Sequence, residues 1–363
     1  MDTPSKATLA ALRLSLVRGV GTHISRKLMD ACGSVANIWD CSVDDWAAIP
    51  GVGPKLIEML QTPHSDEIQK IIDQCHQHQI QMIGFDDEAY PDLLRATDDA
   101  PLVLFARGEA RTLSHPHMLA IVGARKASQE SRLIGRRWSH YFSEHDIVVV
   151  SGMAYGIDTS AHGGALQGST PTVAVLGCGL AALQQRQIAQ VAAIIEHGGC
   201  VISEYLPLQS ARPEHFPQRN RMIAGLSHAT LVIEADIRSG SLITARLANE
   251  YGRNVFAVPG SVLQGGHAGC HQLIRDGAYL TDSSEELLQQ LGWHQCSYPK
   301  TASSGDNPEE SAVIQALQHD ILHLDALSEA CGLTLPELSP ILLALELRGV
   351  IERLPGSRYT LGG

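Results

Sequence analysis

Six short apolar segments in the middle of the chain constrain its fold more than any other feature. Each is rich in Val, Ile, Leu or Ala, and helical patterns lie between most of them. The segments span 118–123, 147–151, 172–177, 200–203, 230–234 and 255–259. Apolar strands that alternate with helices are typical of a parallel sheet covered by helices on both faces. The sequence therefore predicts an α/β fold whose core is a parallel sheet.

Small or polar residues follow the predicted strands. The strands end in Gly123-Ala-Arg, Ser151-Gly-Met, Gly177-Cys-Gly, Glu234-Ala-Asp and Pro259-Gly-Ser. In an extended Rossmann-like sheet, the carboxyl ends of the parallel strands share one edge, and ligands bind there. We therefore expect a ligand crevice at this edge, built by the turns that follow the strands.

The turn after the first predicted strand lacks the pattern of a dinucleotide site. A dinucleotide site needs GxGxxG at this turn and an acidic residue near the end of the second strand. Here Gly123 is followed by Arg125 and Lys126, and the second strand ends in Ser151 and Gly152. A glycine turn at a helix start can still bind a phosphate through its N–H groups. We expect a polyanion at this turn and no cofactor.

A second group of cations lies between the fourth and fifth predicted strands. Its candidate binding residues are Arg212, Phe216, Arg219, Asn220 and Arg221. Guanidinium groups beside an aromatic ring suit a nucleic-acid single strand, because the phosphates meet the cations and a base stacks on the ring. The alternative is a structural cluster in which the arginines pair with Glu204 and Glu214.

Two other helix starts are ambiguous. Asp158 follows the second predicted strand, where it can cap the next helix or contact a ligand. Ser239, Gly240 and Ser241 place hydroxyl groups at a helix start after the fifth strand. This geometry suits an anion, although serine also caps helices with no ligand present.

Charge is distributed unevenly along the chain. The net charge is −12, yet residues 107–285 carry 15 basic and 14 acidic residues. The segment 63–106 carries two basic and nine acidic residues, and we interpret it as an acidic connector leading into the core. This distribution argues against a broad basic DNA-binding face but leaves room for a local basic pocket in the middle of the chain.

The cysteines and apolar segments indicate a cellular compartment. The eight cysteines include no CxxC pair, which argues against a zinc site or a disulfide framework and suits reducing conditions. There is neither an apolar run of about 20 residues, as a membrane span needs, nor a secretory signal pattern. We therefore expect a cytoplasmic protein with no metal and no membrane contact.

The first 62 residues contain two similar pieces. Residues 17–28 and 49–60 each place an apolar-Gly-apolar-Gly turn before an amphipathic helix. The pair resembles a tandem helix-hairpin-helix, or SAM-like, unit, in which glycines let N–H groups approach a phosphate. The alternative is a small helical bundle whose glycines only make tight turns.

The last block begins after a polar linker at 297–308. Residues 309–363 show three helical patterns and then a hairpin-like β segment, and this order resembles a winged helix. The expected recognition helix, Leu335 to Arg348, carries Glu337 and Glu346. Its acidity favours a protein-contacting or autoregulatory role over DNA reading.

Several motifs of the middle block occur in a recognisable order. IVGARKAS, SGMAYGIDTSAH, FPQRNRMIAGLS, SGSLITARLA and VFAVPGS followed by GCHQLIRDGA together resemble the DNA-processing protein A (DprA/Smf) family. The resemblance implies that residues 107–296 bind single-stranded DNA, form a homodimer and load RecA recombinase during natural transformation. It assigns binding roles to Gly123, Arg125, Lys126, Ser151, Gly152, Phe216, Arg219, Asn220, Arg221, Ser239, Gly240 and Ser241.

The chain departs from the family pattern in one loop. After Gly177-Cys-Gly-Leu, members of the family continue with Asp, Tyr-Pro and Asn, whereas this chain has Ala181 to Ile188 as AALQQRQI. We assign no site residue to this loop.

An enzyme is the main alternative function. The predicted sheet and the Pro259-Gly-Ser segment also resemble the lysine-decarboxylase-like nucleoside-monophosphate phosphoribohydrolases. Those enzymes need PGGxGTxxE, and the segment from Pro259 to His267 lacks the second glycine, the threonine and the glutamate. The sequence indicates no Ser–His–Asp or Cys–His arrangement either, so we expect a binding protein and not an enzyme.

Overall fold

The structure is a computed structural model, and its coordinates divide into two compact units, Met1–Cys296 and Ser297–Gly363. The residues it describes are 4–263, 265–293, 308–317, 321–347 and 350–361. The predicted linker 297–308 lies, apart from Pro308, outside the described residues. Within the described residues, no helix is long and apolar enough to cross a membrane.

The first unit opens with short helices that include the two repeated turns of the sequence. They are α1 (Lys6–Leu16), α2 (Thr22–Cys32), α3 (Val43–Ala47), α4 (Pro54–Gln61) and α5 (Ser65–Gln77). Gly19 and Gly51 adopt positive φ angles of 96° and 98° in the turns before α2 and α4. A Cβ on Gly19 would lie 3.7 Å from Leu56 of α4, and one on Gly51 would lie 3.0 Å from Ile24 of α2. The two repeated turns therefore each pack on the other repeat's helix.

The rest of the first unit alternates strands with helices. The strands are β1 (Gln81–Gly84), β2 (Val103–Gly108), β3 (Met118–Val122), β4 (Val148–Ser151), β5 (Thr172–Val175), β6 (Cys200–Ser203), β7 (Ala229–Val232), β8 (Asn254–Ala257) and β9 (Tyr279–Leu280). The helices are α6 (Asp92–Arg95), α7 (Gln129–Glu144), α8 (Ile157–Ala165), α9 (Gln185–Glu196), α10 (His215–Gly225), α11 (Ser241–Glu250), α12 (Ala268–Arg275) and α13 (Ser284–Leu291). All six strands that the sequence predicts are present, as β3 to β8.

The strands form one sheet in the order β1-β2-β6-β5-β4-β3-β7-β8-β9. The seven strands from β6 to β9 are mutually parallel, whereas β2 pairs with β6 in the antiparallel direction and β1 pairs with β2 in the antiparallel direction. Every residue of β3, β4, β5, β6 and β7 is buried, and apolar clusters cover both faces. The prediction of an α/β fold with an extended Rossmann-like parallel core is confirmed.

The acidic segment 63–106 is more than a connector. It contains α5, β1, α6 and β2, and β2 pairs with β6 through residues such as Phe105 and Ser203. Its charged residues lie mainly in helices and turns, while residues 103–106 are buried in the sheet. The acidic composition of the segment therefore did not indicate β1 and β2, two strands that belong to the sheet.

Strand order fixes where the carboxyl ends meet. From β3 the chain adds β4, β5 and β6 on one side and then returns to add β7, β8 and β9 on the other. The strand order reverses between β3 and β7, and in open α/β sheets this reversal creates a crevice. The turns after β3, β4, β5 and β7 therefore decide what the sheet can bind.

The second unit has the predicted winged-helix arrangement. Its elements are α14 (Pro308–Ala316), β10 (Leu322–His323), α15 (Leu324–Cys331), α16 (Leu335–Leu347), β11 (Ile351–Leu354) and β12 (Arg358–Leu361). The strands form an antiparallel sheet in the order β10-β12-β11. The sequence of α16 has no Lys or Arg, and Leu335, Glu337, Leu343 and Glu346 are exposed on it. This surface has no charge that would attract phosphates.

Candidate functional site

The crevice between β3 and β7 is occupied by a carboxylate of the chain itself. Ser128 caps the start of α7, and its N–H and Oγ donate to Glu234 Oε2 at 2.9 and 2.8 Å. Burial alone would raise the pKa of Glu234, but hydrogen bonds from Ser131 and Ser128 outweigh it and keep that pKa below its usual value. Glu234 thus takes the position at the helix start where a dinucleotide site holds a phosphate.

Gly123 allows close packing between this turn and α8. A Cβ at position 123 would lie 2.5 Å from Cγ1 of Ile157, which is fully buried at the start of α8. The next residue, Ala124, donates its N–H to the carbonyl of Glu234 at 2.7 Å. The glycine lets α8 approach the turn, and the chain then emerges at the exposed side chains of Arg125 and Lys126.

An open cavity lies beside the crevice that Glu234 occupies, where the turns after β3, β4 and β5 meet the start of α10. Its volume is about 110 Å³. Its lining comprises Arg125, Gly152, Met153, Ala154, Tyr155, Leu176, Gly177, Cys178, Gln184, Arg186, Gln187, Ala211 and Phe216. This wall combines apolar surface with two arginines, two aromatic rings and two amides. Such a mixture suits a ligand that is both aromatic and anionic.

Arg125 and Phe216 form one wall of the cavity. The guanidinium carbon of Arg125 lies 5.3 Å from the centre of the Phe216 ring. Phe216 is positioned by its neighbour His215, whose Nδ1 is 3.2 Å from the carbonyl of Gly177 and whose ring stacks on Tyr205 at 4.0 Å. The predicted residues Arg125 and Phe216 are therefore brought together, although they are far apart in the sequence.

Arg219 lies beneath the cavity and not on its surface. Only 3% of Arg219 is exposed, and its Nη1 donates to the carbonyls of Gly152, at 2.8 Å, and Val175. Buried beside it is Asp158, whose Oδ2 accepts from the N–H groups of Gly152 and Ala154, both at 3.2 Å. Burial raises the pKa of Asp158, an effect that the positive charge of Arg219 opposes. The expectation that Arg219 contacts DNA directly is not supported by this geometry.

Ser151 and Gly152 belong to the same buried layer. The Oγ of Ser151 is fully buried and donates to the carbonyl of Ile121 at 2.6 Å. A Cβ on Gly152 would lie 2.6 Å from Nη2 of Arg219 and 2.8 Å from Oδ2 of Asp158. Gly152 is needed because the buried side chains of Arg219 and Asp158 both approach its backbone closely. Gly152 lines the cavity, whereas Ser151 is not among its lining residues.

Arg221 belongs to a structural cluster, which was the alternative to DNA binding in the interpretation of the sequence. Its guanidinium donates to the carboxylate of Glu204 and to the carbonyl of Asp99. Burial raises the pKa of Glu204, and the nearby Arg221 partly offsets that rise. Tyr251 donates to Asp99 Oδ1 at 2.6 Å, which extends the same partly buried network. Arg221 therefore ties α10 to the segment before β2.

Asn220 and the serine motif meet beside the cavity without lining it. The Nδ2 of Asn220 donates to the carbonyl of Gly240 at 3.2 Å, and its Oδ1 accepts from Arg219 Nε at 3.3 Å. The hydroxyl groups of Ser239 and Ser241 are 2.7 Å apart at the start of α11. Arg212 is exposed in the loop before α10.

Sequence reasoning missed one side of the cavity. Tyr155 follows β4, and Arg186 lies in the first turn of α9, within the segment to which we assigned no site residue. The structure places Gln184, Arg186 and Gln187 of that loop in the cavity wall, so that assignment is corrected. No local pattern marked Arg186, because its contact with Tyr155 joins two different turns.

Comparison with protein families and known proteins places the chain clearly. Residues 81–292 match the family model of DNA recombination-mediator protein A, and residues 297–357 match that of the DprA winged helix domain. Protein Smf of Escherichia coli is 39% identical over 293 residues, which cover 77% of each chain. DNA processing protein DprA of Streptococcus pneumoniae is 42% identical over 205 residues, 56% of this chain and 72% of the relative.

Two solved structures are similar in fold and sequence. DNA processing protein A from Streptococcus pneumoniae superposes with a TM-score of 0.68 at 32% identity, covering 80% of this chain and 99% of that one. The protein of the same name from Helicobacter pylori, whose structure is described for its single-stranded DNA binding mode, gives a TM-score of 0.53 at 26% identity. It covers 59% of this chain and 97% of that one. The chain belongs to the DNA recombination-mediator protein A family, which includes the DprA and Smf proteins.

Proposed function

We propose that the cavity at the carboxyl ends of β3, β4 and β5 binds single-stranded DNA. The observation that carries this proposal is the pairing of exposed Arg125 with Phe216 in the cavity wall. Phosphates bind Arg125, Lys126 and Arg212, and a base enters the cavity to stack on Phe216. The single-stranded DNA binding mode described for the Helicobacter pylori protein supports this interpretation.

The physical character of the cavity favours a single strand over a duplex. Bases in a duplex are stacked and paired, so their faces are hidden, whereas a single strand can unstack a base onto an aromatic ring. The net charge of the chain is −12, which argues against a broad basic face that would hold a duplex by its phosphates alone. A few exposed arginines beside a stacking surface provide a local site instead.

The buried residues of the motif support this site indirectly. Arg219 holds the turns after β4 and β5 together, since it donates to the carbonyls of Gly152 and Val175. Asn220 fixes the turn that carries Gly240. These residues position the cavity walls and act on the strand through them.

The cellular role is proposed from the family resemblance. We propose that the protein protects incoming single-stranded DNA and loads RecA recombinase onto it in natural transformation or recombination. In this proposal it acts in the cytoplasm as a homodimer formed through the Rossmann-like domain, and it is not an enzyme. Membership of the DNA recombination-mediator protein A family supports the recombination part of this role.

Titration of a fluorescent oligo-dT tests the binding site. The test variant is R125A/K126A/R212A, because all three side chains are exposed and their loss should leave the fold intact. We expect oligo-dT affinity to fall steeply with salt for the unaltered protein and to fall by about 100-fold in the triple variant, with a shallower salt slope. Arg275 provides a matched control, because it is exposed at the end of α12, which leads into the amino end of β9.

Two results would contradict the proposal. Oligo-dT binding by the triple variant equal to that of R275A would place the strand elsewhere. Release of a base from a nucleoside monophosphate, without oligonucleotide binding, would favour the phosphoribohydrolase alternative.

A further inference from the structure

A second arginine–aromatic pair lines the same cavity. The guanidinium carbon of Arg186 lies 4.0 Å from the centre of the Tyr155 ring, closer than Arg125 lies to Phe216. Tyr155 comes from the turn after β4, and Arg186 comes from the first turn of α9 after β5. The two residues are separated widely in the sequence and meet only because β4 and β5 are neighbours in the sheet.

The pair is presented to solvent as a preformed flat surface. Tyr155 is 59% exposed and Arg186 is exposed, so neither side chain is held by the core. Arg186 is oriented instead by the Tyr155 ring on one side and by Gln184, whose Oε1 accepts from Arg186 Nε at 3.1 Å. Within the described residues Arg186 forms no ion pair with a carboxylate. Its planar guanidinium therefore has one face on the ring and its charge uncompensated.

We propose that Arg186 and Tyr155 form a second base-stacking platform, on which a nucleobase adjacent to the one on Phe216 lies against the guanidinium plane. This inference rests on the proposed function of the cavity. It assigns a role to the loop that departs from the family pattern. A guanidinium plane stacks on aromatic surfaces as well as carrying charge, whereas an ammonium group supplies only a point charge.

A structural role alone does not account for the pair. An exposed cation–π contact stabilises a fold only weakly, which is little reason to place a large aromatic side chain in solvent. The pair also lines the cavity that contains Phe216, together with the amides of Gln184 and Gln187. Stacking of successive bases on aromatic and guanidinium planes is how single-strand sites gain affinity without reading sequence.

An abasic strand separates stacking from charge. We compare oligo-dT with an abasic strand of the same length, which keeps the phosphates and lacks the bases. The variants are R186A, R186K and Y155A, with R275A as the control for loss of an exposed arginine and R125A as the control for the proposed function. Thermal unfolding of each variant checks that the fold is retained.

The platform predicts different responses on the two strands. R186A should weaken oligo-dT binding about 10-fold and abasic-strand binding only about 2-fold, because a stacked base contributes more than one phosphate contact. R186K should weaken oligo-dT binding but leave the abasic strand unchanged, since it keeps the charge and loses the plane. Y155A should resemble R186A, and the double variant should be little worse than either, because each side chain needs the other.

Other outcomes would overturn the platform. If R186A loses the same affinity for both strands, or if R186K binds oligo-dT as the unaltered protein does, Arg186 contacts only a phosphate. If R125A weakens binding while R186A matches R275A, the platform is wrong and the proposed function stands. If the unaltered protein binds neither strand, the proposed function itself fails.

Discussion

The rim of the cavity and the layer beneath it use the same residue type for opposite purposes. On the rim, Arg125 and Arg186 are exposed and lie over aromatic rings. In the layer beneath, Arg219 is buried against Asp158 and backbone carbonyls, and Arg221 is paired with Glu204. The difference shows that an arginine in a binding motif can build the site without touching the ligand.

Helical spacing explains which residues of α10 are buried. His215, Arg219, Met222 and Ile223 recur every three to four residues, and all four are buried. Phe216 and Asn220 lie one position further round the helix and are only half-buried. Arg219 thus belongs to the core-facing side of α10, where a charge is tolerated only with a partner.

Loss of the buried arginine should have the largest effect. R219A leaves the carboxyl group of Asp158 buried without its cation, so we expect the free energy of unfolding to fall by about 3–5 kcal/mol. Denaturant unfolding followed by circular dichroism measures this change. The comparison between rim and buried layer would break down if R219A unfolded within about 1 kcal/mol of the unaltered protein.

Acid should destabilise the buried layer through His162. Burial, aided by the positive charge of Arg219, lowers the pKa of His162 from 6.5 to about 4. Between these pH values the unfolded chain binds a proton at His162 that the folded chain does not bind. The contribution of neutral His162 to stability is therefore fully present above pH 6.5 and is lost as the pH falls towards 4. The loss in the free energy of unfolding should reach about 2–3 kcal/mol.

The pH dependence can be assigned to this histidine by substitution. The raised pKa values of Asp158 and Glu204 act in the opposite direction, because stability from those groups is lost as the pH rises. H162N keeps a side chain that can hydrogen-bond Thr172, the partner of His162 Nδ1 at 2.9 Å, and removes the titration. Urea unfolding of both proteins over this pH range should show a flatter curve for H162N, and parallel curves would exclude His162.

A methyl group at position 152 should disturb the contact between the two layers. In G152A the new Cβ would collide with the buried guanidinium of Arg219, so we expect a loss of about 1–3 kcal/mol in unfolding free energy. Thermal unfolding measures the loss, and G163A provides a control, because a Cβ there would meet no atom within 4 Å. Equal stabilities for the two variants would show that the layer relaxes freely.

The smallest effect on stability should come from the rim. R125A/K126A removes two exposed charges, so its unfolding free energy should stay within about 0.5 kcal/mol of the unaltered protein. The same variant should lose most oligo-dT affinity, which separates binding from folding. A destabilisation similar to that of R219A would mean that the rim also holds the fold together.

Local patterns allowed part of the site to be predicted. Arg125, Lys126 and Phe216 follow from motif and residue type, and the structure places Arg125 and Phe216 in one cavity. Arg186 was missed because its contact with Tyr155 joins two different turns. The role of Glu234 was missed for the same reason, since its hydrogen bond to Ser128 spans 106 residues.

The sequence by itself determined the six central strands, their shared carboxyl edge and the family, because runs of apolar residues and ordered motifs are local properties of the chain. Only the tertiary structure decided which arginines face solvent. Burial depends on which elements pack together, and α10 turns Arg219 towards β4 and β5 while its neighbours Phe216 and Asn220 face outward. Packing also closed the crevice at β3 and β7 with Glu234 and left open the cavity beside it.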